Sequence, residues 1–302
     1  MALPFKLVYH SRYDLHLGHH VFPAEKYALI REHLLRGRFV EDSDFIAPEP
    51  AVDEDVLLVH DAAWVNGLKN GTLSYVDLLR LEIPWSREMV EAFWFCAGGS
   101  ILAARRALTD RICYNVGGGF HHAFADHGEG FCAINDVAIA IRRLQKDGLI
   151  ARAMVVDCDV HDGNGTAAIF AADSTVFTIS LHQTNNYPVV KPPSDIDVDL
   201  ADGVADDEYL ARLREALGTG LARFQPDLMI YVAGADPYGD DQLGGLALTI
   251  DGLKERDRLV LAAAVTHGIP VAITLAGGYA HNTADTVEIH CNTARAAVEV
   301  LV

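Results

Sequence analysis

The run VVDCDVHDGNG, residues 155–165, decides how the rest of the chain is read. Its first half is β-branched and apolar where a buried strand needs it, and it delivers Asp159 and His161 two positions apart. Side chains on a strand repeat every two residues, so both point to one side and offer an oxygen and a nitrogen ligand, half of a metal site. Gly163 and Gly165 follow and let the chain turn at the strand's carboxyl end, where open α/β sheets place their ligand crevices. Cys158 lies between Asp157 and Asp159 and must face the other way, which removes it as a ligand.

Further short β-type runs occur at residues 6–9, 112–116, 153–160, 175–181, 228–233 and 271–275. Between them, residues 24–36, 87–108, 136–146, 208–224, 253–265 and 284–301 place apolar residues three or four apart, the spacing of helices. Strands alternating with helices predict a parallel sheet covered on both faces. No repeat, low-complexity tract or Pro/Gly/Ser linker divides the chain, so residues 1–302 are expected to form one domain. Residues 10–50, apart from their helix, and residues 183–206 read as long irregular segments. Loops of that length are commonly functional, which makes both candidate rims of a pocket.

Each remaining motif follows a predicted strand. In GGGFHHA, three glycines precede His121 and His122, and a glycine turn lets adjacent histidines face one cavity, where imidazole suits acid/base work near neutral pH. GEGFCAIND sets Gly130 and Phe131 ahead of a helix that Asn135 or Asp136 would cap. YVAGADPYGDDQLGG brings Asp236 to the mouth of an apolar strand, a costly place for a carboxylate unless it is paired or bound to metal. VAITLAGGYA ends on Tyr279, whose hydroxyl is suited to donate to a developing oxyanion. Asp159, His161 and Asp236 make three N/O ligands with open positions for water or substrate, the pattern of a catalytic zinc site; iron(II) also suits two carboxylates and a histidine.

Composition narrows the partners. With 24 Lys+Arg against 42 Asp+Glu the net charge is −18, a field that repels phosphate backbones and anionic membranes and attracts a cationic peptide or an amine. The five cysteines contain no C-x-x-C pair, and no run of about 18 apolar residues occurs, so a soluble, reduced, cytoplasmic protein is expected.

GGGFHHA, GEGFCAIND, DCDVHDGNG, AGADP and AGGYA, in this order, resemble the motifs of the zinc-dependent histone deacetylases and the related bacterial acetylpolyamine and acetoin-utilisation proteins. The likeness runs from about Tyr9 to the end. The opening VYHSRYDLHLGHHVFPAEKY, the form NVGGGFHH and the DDQLGGL after Asp236 are most similar to the class IV branch, in a bacterial member. The resemblance implies the arginase/deacetylase fold, a three-layer α/β/α arrangement with a mainly parallel sheet of about eight strands.

It also implies roles. Zn2+ would be held by Asp159, His161 and Asp236. His122 would be the general base toward the attacking water and then protonate the leaving amine, with His121 assisting electrostatically. Tyr279 would polarise the acyl carbonyl, and Gly130 and Phe131 would line the substrate channel. Asp157 would orient His121 and join a structural K+ site with Asp159, His161, Ser180 and Leu181. Asn164 would face His122 where many members carry an aspartate, and a neutral amide leaves that histidine's pKa lower than a carboxylate would. The related two-manganese ureohydrolases need further carboxylates; here Gly163 and Gly234 stand in those stretches, and a second metal of that kind lacks its ligands. The expected activity is removal of acyl groups, acetyl or long-chain fatty acyl, from lysine side chains. The alternative substrate is a small acylated amine such as an acetylpolyamine or a biosynthetic intermediate.

Overall fold

The computed structural model describes residues 3–302. Among them, eight strands form one wholly parallel sheet. The strands are β1 (Lys6–Val8), β2 (Phe45–Ile46), β3 (Ile112–Asn115), β4 (Ala153–Asp157), β5 (Val176–Gln183), β6 (Ile196–Leu200), β7 (Leu228–Val232) and β8 (Val271–Thr274), in the spatial order β2-β1-β3-β8-β7-β4-β5-β6. Ten α-helices cover the sheet: α1 (Lys26–Arg36), α2 (Asp53–Val56), α3 (Ala62–Asn70), α4 (Tyr75–Leu81), α5 (Arg87–Asp110), α6 (Asp136–Lys146), α7 (Asn164–Phe170), α8 (Asp206–Arg223), α9 (Ile250–Thr266) and α10 (Thr283–Leu301). None of them is long and apolar enough to cross a membrane.

The central strands β3, β4, β5, β7 and β8 are buried at every residue, as a parallel sheet with both faces covered requires. Period-two alternation sorts their side chains into two cores. Ala153 and Val155 of β4 with Leu228, Ile230 and Val232 of β7 pack under α5 and α6 through Ala103, Ala107, Val137 and Ile141. Met154, Val156, Met229 and Tyr231 pack on the other face under α8, α9 and α10. Cys158 falls in that second set, away from Asp157 and Asp159. Full burial of each large aliphatic side chain contributes about 1.5–3 kcal/mol.

Differences from the sequence reading have local causes. β4 stops at Asp157 rather than at residue 160, because residues 158–163 bend away to form the site. Residues 183–206 contain β6, an edge strand whose IDVDL alternates exposed carboxylates with buried Val198 and Leu200. Neighbouring proline and asparagine residues made that alternation read as loop. Helices α2, α3 and α4 occupy residues 53–81, a region with no predicted element; α4 carries the exposed Tyr75, Val76 and Leu79, which break an amphipathic pattern.

One buried cation ties the two site-bearing strands together. Arg256 of α9, 0% exposed, donates from Nη1 to the carbonyls of Cys158 and Gly234, just past β4 and β7, and from Nε and Nη2 to Asp257 Oδ1 at 3.0 and 2.8 Å. Asp257 also accepts from the hydroxyls of Tyr231 and Thr293. Arg256→Leu strands the Asp257 charge and two carbonyls in the core, so we predict a loss of about 3–5 kcal/mol in urea unfolding.

Candidate active site

Asp157, Asp159 and His161 leave the end of β4 on a chain that hydrogen-bonds to its own carboxylates. The amide of Asp159 donates to Asp157 Oδ1 at 3.1 Å, and that of His161 donates to Asp159 Oδ1 at 3.0 Å. From beyond β7, Asp236 Oδ1 accepts from the amide of Val160 at 2.9 Å; from beyond β8, the amide of Gly277 donates to Asp159 Oδ2 at 2.8 Å. Three neighbouring strand ends thus converge, and one ligand atom each from Asp159, His161 and Asp236 lie within 4.8 Å of one another, all buried. Gly277 is needed for this approach, because a β-carbon there would collide with the carboxylates of both Asp236 and Asp159.

The donor set fits a divalent metal. Asp236 Oδ2 is buried without a hydrogen-bond partner. Burial, then the neighbouring Asp159, pushes the Asp236 carboxyl up to about 7. Against the desolvation of its ring, the carboxylate of Asp159, 3.0 Å from Nδ1, and the nearby charge of Asp236 hold a proton on His161 up to about 10. The pocket therefore demands positive charge between these three side chains, and an ion bound by one nitrogen and two carboxylate oxygens would supply it.

The two histidines after β3 differ in partner. The Asp136 carboxylate, at the start of α6, accepts the amides of Gly119 and Phe120, while Asn135 caps the helix by accepting from Ala138. This pins the glycine loop so that His121 and His122 meet Nε2 to Nε2 at 3.1 Å. Nδ1 of His121 lies 2.6 Å from Asp157 Oδ2, and against desolvation that carboxylate raises His121 to about 9. Nδ1 of His122 lies 2.7 Å from Asn164 Oδ1; desolvation, then the charges of His121 and His161, hold it well below its ordinary value. With Nδ1 donating to the amide oxygen, the lone pair of neutral His122 sits on Nε2.

These groups open on a cavity of about 170 Å³ lined by His122, His161, Tyr279, Gly130, Phe131, Tyr187, Asn186, Leu243 and Glu82. Tyr279 is held by its own amide, which donates to Asp241 Oδ2 at 2.7 Å. Phe131 stands edge-on to Tyr279 with centroids 6.1 Å apart, and Tyr187 edge-on to His122 at 5.0 Å. Ser180 lies beside Asp157 in the β4–β5 register, whereas the side chain of Leu181 points into the α8–α10 core.

Several contributors were not singled out in the sequence. Lys26, 0% exposed, donates from Nζ to the carbonyls of Ala276 and Gly277 at 2.7 and 3.1 Å and so braces the turn that carries Tyr279. Its desolvation brings it down to about 8, opposed by Asp236 and Asp159. A lysine opening a helix reads as a surface residue, and nothing near it in sequence signals otherwise. Tyr187 belongs to the segment read as a candidate rim. Asp195 accepts the amide of Thr178 and Asp241 is buried under Tyr279, so neither carboxylate lines the cavity. The carboxylate at the mouth is Glu82, the C-cap of α4.

The chain is similar to several known proteins. Residues 20–294 match the model of the histone deacetylase domain. An uncharacterised protein of Picosynechococcus sp. is 41% identical, with 98% of this chain and 99% of that one aligned. Histone deacetylase 2 of Arabidopsis thaliana is 32% identical over 93% of this chain and 76% of its own length. The crystal structure of an HDAC homolog from Aquifex aeolicus superposes with a TM-score of 0.83 at 22% identity, covering 97% of this chain and 84% of that one.

Because a methyl on residue 277 would meet the carboxylates of Asp236 and Asp159, Gly277→Ala is expected to weaken divalent-metal binding by about 10–100-fold. Calorimetric titration of the metal-free protein, with far-ultraviolet circular dichroism as the control for folding, checks this.

Proposed function

The chain belongs to the histone deacetylase family, and from that premise we propose that it is a zinc-dependent amidohydrolase removing acyl groups from lysine side chains. The observation that carries the reading is the convergence on one cavity of the Asp159–His161–Asp236 triad, the His121–His122 pair and Tyr279. The class IV resemblance brings fatty acyl groups into view. A cavity of about 170 Å³ lies below the ~300–1,000 Å³ usual for drug-sized ligands and favours acetyl as the acyl group.

The acyl-lysine stem enters between Phe131 and Tyr187, whose rings flank the cavity. When bound, Zn2+ at the triad would polarise the acyl carbonyl and make the attacking water more acidic. His122 takes the water's proton at Nε2, its Nδ1 proton directed at Asn164. His121, cationic through Asp157, holds positive charge beside the reacting centre and keeps His122 neutral. The hydroxyl of Tyr279 donates to the developing oxyanion, burial keeping the phenol protonated. His122 then returns its proton to the departing amine.

Asp157 and Ser180, adjacent in register, would with Asp159, His161 and the Leu181 carbonyl hold a structural K+. All five cysteines are free and buried, which supports the reading of a reduced cytoplasmic protein. A second substrate reading, a small acylated amine, rests on Glu82. Its exposed carboxylate at the mouth makes no ion pair with Lys or Arg among the described residues and would attract an ammonium group.

On a panel of acetyl- to myristoyl-lysine peptides and acetylspermidine, we expect acetyl-lysine turnover that chelator abolishes and Zn2+ restores. His122→Ala should lower kcat by about 10²–10⁴-fold, and Tyr279→Phe by about 10²–10³-fold. Full turnover by His122→Ala on every substrate would overturn the assignment of the base. A faster rate on acetylspermidine, lost in Glu82→Gln, would favour the amine reading.

A further inference from the structure

Beyond the triad, β4, β5 and β6 carry a second group of ligating side chains. The parallel register sets Ser180 of β5 opposite Asp197 of β6, and His182 opposite Asp199. Period two keeps all four on one face of the sheet, while Val198 and Leu200 fill the other. Asp162 reaches this face from the bend between β4 and α7. One ligand atom each from Asp162, His182 and Asp197 lie within 4.8 Å of one another.

The decisive feature is Asp162. It is 0% exposed, and neither of its carboxylate oxygens has a hydrogen-bond partner. No lysine or arginine forms an ion pair with Asp162, Asp197 or Asp199 among the described residues. The lysine of the adjoining loop, Lys191, has its ammonium on the carbonyls of Asn186 and Pro188 at 2.8 and 2.6 Å. His182, 1% exposed, stands between carboxylates, with Nδ1 at 3.3 Å from Asp162 Oδ2 and Nε2 at 3.4 Å from Asp199 Oδ1. A carboxylate acceptor on one ring nitrogen is the arrangement that orients an imidazole whose other nitrogen ligates a metal. Nδ1 also lies 2.9 Å from Ser180 Oγ.

We propose that Asp162, His182 and Asp197 form a second metal site, for a divalent transition-metal ion such as Zn2+, which staples the edge strand β6 to β5 and to the bend that carries His161 and Asn164. Imidazole nitrogen with carboxylate oxygens suits zinc, iron or manganese; a potassium ion would take oxygen ligands alone. The set shares no side chain with the catalytic triad, nor with the residues expected to hold K+. Asp197, on the exposed side of the edge strand, gives the ion a path from solvent.

The test is metal stoichiometry. Metal-free protein is reloaded with Zn2+ or Co2+, desalted, and assayed by plasma mass spectrometry and by calorimetric titration. Wild type should hold two ions per chain, Asp159→Asn one, and Asp159→Asn combined with either Asp197→Asn or His182→Gln none. Asp197→Asn alters only an exposed edge carboxylate, so it decides the matter even where His182→Gln misfolds. An unchanged ion count in Asp197→Asn, or a single ion in wild type that Asp159→Asn removes, overturns the proposal. A chain that hydrolyses no acyl amide yet loses one ion on Asp197→Asn leaves this site standing while removing the catalytic reading.

Discussion

Everything at the carboxyl edge of this sheet follows from buried carboxylate charge. Asp157, Asp159, Asp162 and Asp236 are all 3% exposed or less, and ionised carboxylates taken out of water each cost several kcal/mol unless bonded and compensated. The fold meets part of that cost with backbone N–H groups: those of Asp159, Val160, His161 and Gly277 all donate to these carboxylates. Such donors exist only because the chain bends sharply on leaving β4 and passes close to the carboxylates on leaving β8. Asp236 Oδ2 and both oxygens of Asp162 stay without a hydrogen-bond partner, which leaves their lone pairs open to a cation.

Period two in VVDCDVHDGNG foresaw that Asp159 and His161 would share a side, but β4 ends at Asp157, and it is the bend after it, held by amides donating to Asp157 and Asp159, that brings His161 beside Asp159. The third ligand was legible for a related reason: Asp236 terminates an apolar run, and a carboxylate in that position needs a partner. The same logic failed for the edge. IDVDL alternates as clearly as any strand, yet it lies among prolines and asparagines, and only pairing with β5 distinguishes it from loop. Lys26 was illegible for a deeper reason. Its partners are carbonyls some 250 residues away, and no local pattern encodes a hydrogen bond of that separation.

The adjacent histidines show how two identical side chains are given different chemistry. Asp157 makes His121 a cation, and that cation, with desolvation, keeps its neighbour His122 neutral. Asn164 completes the asymmetry by accepting from Nδ1 without adding a negative charge. Its amide nitrogen donates to Glu129, which fixes the amide so that oxygen faces the ring. The carboxylate is thereby displaced by one side chain from the histidine, keeping orientation while attenuating the field. GEGFCAIND thus contributes more than a channel wall.

The buried cations explain why the carboxylates remain available as ligands. Lys26 and Arg256 are both 0% exposed; Lys26 lies in the field of Asp236 and Asp159, and Arg256 sits on the backbone beside them. Neither forms an ion pair with Asp159 or Asp236 among the described residues. Lys26 bonds the carbonyls of Ala276 and Gly277, and Arg256 those of Cys158 and Gly234, with Asp257 as its carboxylate. Each therefore lends a positive field to the site through the backbone that shapes it while its N–H groups are engaged elsewhere. A lysine bonded directly to Asp236 would satisfy its free oxygen and exclude a metal; placed one peptide away, it lowers the cost of the charge and leaves the lone pairs open.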